Sequence, residues 1–226
     1  MSDLAVNGIY VGKAETRWLD KPKSAIGKQS VDRQLSLEID GFVTDEQADL
    51  SVHGGMDKAV HHYPGEHYAT WRGELERDDL FPGGFGENIS TQGMAEDTAC
   101  IGDVFRLGTA TMQISQGRQP CWKLNAHTRE PRMAYLFQKT GRTGWYYRVL
   151  ETGTVKAGDR IGLLERTNPD WTVARVTSAR LTRRISEEDA RCLASLTSLA
   201  EGWRKAFERM AEGDRREDTS ARLGTG

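Results

Sequence analysis

Cysteine is scarce in this chain. Cys100, Cys121 and Cys192 are the only three in 226 residues, and no two of them form a Cys-x-x-Cys pair. An odd, unspaced set excludes a disulfide framework, because one thiol would be stranded in an oxidising compartment; it also excludes an iron–sulfur set. A surplus of charge is missing too. With 31 Lys and Arg against 33 Asp and Glu the formal net charge is −2, so no global field gathers nucleic acid or an acidic membrane, and any anion site must be local. No apolar run approaches the roughly 20 residues that span a bilayer. The N-terminal stretch "MSDLAVNGIYVGKA" has neither the basic nor the apolar region of a secretory signal. The expectation is a reduced, globular, cytoplasmic protein. Nucleotide fingerprints are absent as well: "GGFGENIS" has neither the Gly-x-Gly-x-x-Gly spacing nor a phosphate-loop lysine.

What is present, up to about residue 165, is a series of short β-type runs cut by glycine. Leu35, Leu37 and Ile39 alternate with polar residues as a half-buried strand does, and "VFRLGTATMQIS" reads as a hairpin turning near Gly108. "WYYRVLETGTVKAGDRIGLLE" reads as two strands joined around Gly153. Two helices interrupt: one after Pro64 with Tyr68, Trp71 and Leu75, one after Pro131 with Met133, Leu136 and Phe137, stopped by Gly141. Short strands with glycine corners favour a barrel over a doubly wound sheet. After "NPDW" the pattern turns helical. "TVARVTSARLTRR" is a candidate first helix, although Val173 and Val176 weaken it; Ser186 with Asp189, and Ser198 with Glu201, have capping-box spacing. The fold class expected is mainly β, a mixed β-barrel with a few helices over residues 1–168. A small three-helix domain follows at 169–213, and then a frayed or loosely docked tail at 214–226.

Three segments carry candidate chemistry. "HGGMDKAVHHYPGEHY" places His53, His61, His62 and His67 close in sequence, but the spacing is poor for zinc: adjacent histidines on a strand point to opposite faces. Only His62 and His67 are placed to meet, across Pro64-Gly65. The plainer reading sets one or two histidines at turns and the others on the surface. In "GGFGENIS", Glu87 can accept from ring N–H groups and the Asn88 amide can both donate and accept, as a heterocycle edge requires, or the segment is a plain turn. In "SQGRQPCWKLN", Cys121 stands between the cations Arg118 and Lys123. Nearby positive charge favours the thiolate, the form that attacks or binds a soft metal, against the alternative of a small buried hydrophobe.

These segments, with "KPKSAIGK", "IGDVFRLG" and "GWYYRVLETGTVKAGD", occur in an order that resembles the YiiM-type MOSC-domain proteins, from about Gly8 to Met210. The resemblance implies a β-barrel that binds the molybdenum cofactor and a three-helix domain after it. It makes Cys121 the catalytic thiolate ligand of molybdenum, and the pterin would supply the other sulfurs. The implied cofactor contacts are Arg118 and Lys58 on the phosphate and Lys23 and Ser24 as a further anion contact. Glu87 and Asn88 would read the pterin, the backbone of Gly54, Gly55 and Gly86 would donate to the cofactor, and His53 would bond the cofactor or a metal-oxo group. Met56 stands where relatives often carry proline. The implied activity is reduction of N-hydroxylated compounds such as hydroxylaminopurine-type base analogues, amidoximes and hydroxylamines. Electrons would come from a flavoprotein reductase partner, and the helical domain is one surface on which that partner or a second copy would dock. Two other readings stay open: Cys121 as a persulfide carrier, and the arginine-rich helices as a nucleic-acid- or protein-binding module.

Overall fold

A sheet whose first and last strands pair has no edge to expose, and that is how this chain resolves its many short strands. The computed structural model describes residues 3–48, 54–217 and 219–223. In chain order the strands are β1 Leu4–Val11, β2 Gln29–Ser30, β3 Leu35–Glu38, β4 Gly41–Phe42, β5 Val60–Pro64, β6 Ile89–Thr91, β7 Val104–Leu107, β8 Ala110–Gly117, β9 Trp145–Glu151, β10 Gly153–Val155 and β11 Arg160–Glu165. The helices are α1 Glu66–Leu75, α2 Trp122–Thr128, α3 Met133–Thr140, α4 Val173–Thr182, α5 Glu187–Ser195, α6 Glu201–Ala211 and α7 Ser220–Leu223, with a 3-10 turn at Met56–Lys58.

Seven strands run β1-β6-β5-β9-β8-β7-β11 and close when Leu4 and Ala5 of β1 pair with Ile161 and Arg160 of β11. Six of the seven pairings are antiparallel; β5 and β6 are parallel, so the barrel is mixed. Parallel neighbours need a crossover, and α1 provides it. A small sheet β10-β3-β4 lies beside the barrel. The hairpin at Gly108 and the αL stop of α3 at Gly141 stand where the sequence puts them. Gly153 does not turn the chain: it lies in β10, paired with Leu37, and the turn falls at Gly158. Ile39 is exposed, because the strand of Leu35 and Leu37 ends at Glu38 and the hairpin turns through Ile39 and Asp40.

Two apolar clusters organise the rest. Inside the barrel, Val60, Ile89, Phe105, Met112, Trp145 and Tyr147 pack together, and the same cluster runs without a break into Val173, Val176, Trp203 and Phe207 of the helices. The valines that weaken α4 as an isolated helix are thus its anchors. Gly117 permits this approach, since a Cβ there would collide with Thr177 Oγ1. Ser186 caps α5 through the Asp189 amide at 3.0 Å. Ser198 does not cap α6; the Ala200 amide donates to the Ser115 carbonyl of β8, and the helix starts only at Glu201. The second cluster, Tyr63, Tyr68, Trp71, Phe85, Leu124 and Phe137, lies where α1, α2 and α3 cover the outer face of β5. The tail is not frayed where it is described: Leu223 is buried and α7 docks against α2.

Candidate functional site

The seam between these clusters is open at one end. Strand alternation decides what faces it. His62, Trp145 and Tyr147 point into the barrel, whereas His61 and its cross-strand partner Tyr146 point outward, their rings 4.8 Å apart. The resulting cavity encloses about 90 Å³ and opens to solvent at its mouth. Its walls come from Ser24–Ile26 and Lys28, Asp45–Ala48, Lys58 and His61, Gly86 and Asn88, Arg118 with Cys121 and Lys123, and Tyr146.

The lining is cationic. Lys28, Lys58, Arg118 and Lys123 oppose Asp45 and Glu46, and both acids are engaged. Lys28 Nζ donates to both oxygens of Asp45 at 2.6 and 2.5 Å, and Lys13 donates to Glu46 at 2.8 Å. Asp45 also accepts from the Gly12 amide at 2.7 Å and from Asn88 Nδ2 at 2.8 Å. Burial, opposed by Asp45, lowers the Lys28 pKa from its ordinary value. Arg118 sits at the end of β8, and its Nη1 donates to the Phe85 carbonyl at 2.7 Å, which leaves the rest of the guanidinium for the cavity.

Cys121 is the N-cap residue of α2, with extended backbone, and its side chain makes no cap bond. The thiol is half-buried, unpaired and turned to the cavity wall. Helix α2 begins directly after the cysteine. His61 is the second unusual group. It is 3% exposed, and neither ring nitrogen has a hydrogen-bond partner among the described residues. The Gly86 carbonyl favours ring protonation but stands outside bonding geometry, and burial, then Arg118, hold the pKa well below the ordinary histidine value. A neutral ring offers one donor and one acceptor. Leaving both unmet inside a protein costs about 1–3 kcal/mol each, so a complementary ligand edge has something to gain here.

Of the residues singled out from sequence, Ser24, Lys58, Gly86, Asn88, Arg118 and Cys121 meet at this cavity. His53 lies outside the described residues. Lys23 is exposed and off the wall, and Gly54 and Gly55 are off it too: the Gly55 amide donates to Gln47 Oε1 at 2.9 Å. Glu87 turns away. Its carboxylate accepts from Tyr68 Oη at 2.6 Å and from the amides of Gly83 and Phe85 at 2.6 and 3.1 Å, so it folds its own loop and presents nothing to a pterin. Asn88 spends its amide on Tyr10 and Asp45 and its carbonyl on the His61 amide. His61 and His62 are both buried, not at turns or on the surface, and His62 and His67 take different partners: Tyr147 and Thr91 for one, Glu96 for the other. No three His, Cys, Asp or Glu side chains converge as a metal-ion site among the described residues. Lys28, Asp45, His61 and Tyr146 were not singled out for this site. "AVHHYP" carried the one available signal for His61, a histidine set in an apolar strand.

Comparison with known proteins settles the kinship. A MOSC-domain model matches residues 49–162, and a model described as a YiiM-like three-alpha-helix domain matches 171–213. The chain is 39% identical to Protein YiiM of Escherichia coli over 217 residues, 95% of this chain and 96% of the relative. This chain belongs to the MOSC-domain family, in its YiiM branch. It superposes on the crystal structure of Escherichia coli YiiM with a TM-score of 0.82, covering 99% of both chains at 33% identity. A protein of Gibberella moniliformis named "Reductase" is 42% identical over 166 residues, 72% of this chain but 29% of that longer protein. No helix among the described residues is long and apolar enough to cross a membrane.

Several arginines of the helical region are in ion pairs. Arg175 pairs with Asp189, Arg191 with Glu187, and Arg180 and Arg183 share Glu217.

Proposed function

We propose that this MOSC-domain protein is a molybdenum cofactor-dependent reductase of N-hydroxylated compounds, with Cys121 as the protein ligand of the metal. The observation that carries the reading is an unpaired thiol on the wall of a cationic cavity that also holds a histidine with two unmet ring nitrogens. The donor set fits the group. One soft thiolate suits a metal whose remaining sulfurs come with the pterin, Arg118, Lys58 and Lys123 suit its phosphate, and His61 suits the donor–acceptor edge of a heterocycle. When bound, the cofactor supplies two-electron reduction, and an N–O bond takes up two electrons and two protons to leave N–H and water. The chain's own part is to hold the thiolate, neutralise the phosphate, and orient the ligand through His61 in a site flanked by aromatic side chains. Kinship with a longer fungal protein named reductase supports the reductive direction. We assign electron supply to a separate flavoprotein reductase.

Persulfide carriage needs an exposed, mobile thiol, and the half-buried place of Cys121 at the head of α2 argues against it. The deciding experiment is metal and pterin analysis of protein made in a host that synthesises molybdopterin. Stoichiometric molybdenum that disappears in Cys121→Ser while the fold persists supports the reading, as does reduction of benzamidoxime or hydroxylaminopurine with an artificial reductant. Metal-free wild-type protein carrying a persulfide overturns it.

A further inference from the structure

The segment that delivers Cys121 has few ties of its own. Arg118 makes the last backbone bond before it, to the Gly144 carbonyl at 3.1 Å; Pro120 has no N–H to give, and α2 is only seven residues long. A helix that short does not hold itself in water. Leu124 packs in the second apolar cluster and the Thr128 carbonyl accepts from Arg77 at 3.0 Å, and the remaining ties come from the far end of the chain. Arg222 donates through Nη1 to the Pro120 carbonyl at 2.8 Å and through Nη2 to Gln138 Oε1 of α3 at 2.9 Å. Asn125 of α2 donates to the Leu223 carbonyl at 3.0 Å, and its own carbonyl accepts from the Ala134 amide of α3 at 2.7 Å. Leu223 is buried beneath this contact. At the other end of the segment Glu217 is held by Arg180 and Arg183, which belong to and cap α4.

We propose that Glu217 and the stretch 219–223 act as a strap between α4 and the Cys121 turn, and that Arg222 is the positioning residue through which it fixes that turn. The two-pronged guanidinium bridges the residue just before the cysteine to the neighbouring helix, a job for which a fork serves better than a point charge. It gives the three-helix unit a part in the site: α4 anchors a strap that preorganises a ligand contributed by the barrel. The strap itself does not depend on the molybdenum reading; only its consequence for cofactor retention does.

Hydrogen exchange read by mass spectrometry on the cofactor-free full chain tests it. In Arg222→Ala the amides of 122–128 should exchange at least about tenfold faster while those of β8 and of α5 and α6 keep their rates, because the loss is local. Arg222→Lys, which reaches only one of the two acceptors, should fall between. Glu217→Gln, which loosens the other anchor, should change the same peptide in the same direction. Unchanged protection of 122–128 in Arg222→Ala overturns the proposal, and so does acceleration spread equally over the barrel, which would mark a merely structural residue. On loaded protein, Arg222→Ala should also shorten cofactor retention. If exchange responds as stated but wild-type protein binds no cofactor, the strap stands and the molybdenum reading falls.

Discussion

Acid should unfold this protein through a histidine that the ligand never touches. His62 lies at 0% exposure inside the barrel, with Nδ1 3.0 Å from Tyr147 Oη and Nε2 2.9 Å from Thr91 Oγ1. One nitrogen donates and the other accepts, so the hydroxyls satisfy a neutral ring and a charged one would be stranded in an apolar core. Burial accordingly lowers its pKa from 6.5 to about 3. The folded value lies below the unfolded one, so stability is full above the unfolded pKa and is lost as pH falls toward the folded one. Between those limits the unfolded chain binds a proton that the native chain does not. From about pH 7 to about pH 5 the loss is about 2 kcal/mol, at 1.36 kcal/mol per unit below the ordinary pKa. His61 adds a loss of the same sign. Urea unfolding followed by tryptophan fluorescence at the two pH values measures it. His62→Gln should be less stable at neutral pH, yet should lose about 2 kcal/mol less than wild type on acidification. Equal losses in both proteins would refute the assignment of a neutral buried ring.

Three other outcomes follow from the same geometry. Lys28→Met strands the Asp45 carboxylate, 9% exposed, and should destabilise the fold by about 3 kcal/mol in chemical denaturation; it should also weaken binding of an anionic ligand, measured by calorimetry. Glu87→Gln sets an amide against the Gly83 and Phe85 N–H donors, so thermal unfolding should show a loss of about 1–3 kcal/mol. Gly117→Ala pushes a Cβ into Thr177 Oγ1 and should cost about 1–3 kcal/mol as overpacking does; adding Thr177→Ala should recover part of it, and no recovery would mean that the tightness lies elsewhere.

How much of this was legible in the sequence follows from the range of the interactions. The hairpin at Gly108, the stop at Gly141 and the cap at Ser186 are set within a few residues, and pattern reading finds them. The thiol was legible because Arg118, Pro120 and Lys123 stand beside it in sequence. The Lys28–Asp45 pair was not, because lysine and aspartate 17 residues apart look like two solvated surface groups until the barrel closes around them. Glu87 misled for a related reason: a carboxylate between two cavity residues looks like a ligand contact, but the loop needs an acceptor for its own amides and takes this one. Docking of the tail depends on contacts about a hundred residues apart, Arg222 with Pro120 and Asn125 with Leu223, which no local pattern reports.

The cavity is better understood as a seam than as a pocket in one element. Its walls arrive from six stretches of chain that meet only when β5, β8 and β9 are in register and the aromatic layer of α1 to α3 is packed on their outer face. Binding and folding are therefore linked at this site, and a ligand held only by the assembled seam stabilises the whole chain by about 2.7 kcal/mol at a hundredfold excess over its Kd. The same linkage means that side chains which build the walls, Glu87 beneath Gly86 and Asp45 beside Lys28, act on affinity by holding those walls at the right spacing. Losses of binding on mutating them carry a matching loss of stability. Exchange of a contact group with no bond to the fold, as in Cys121→Ser, should instead lower affinity with stability unmoved, and that contrast separates the groups that touch the ligand from those that build its site.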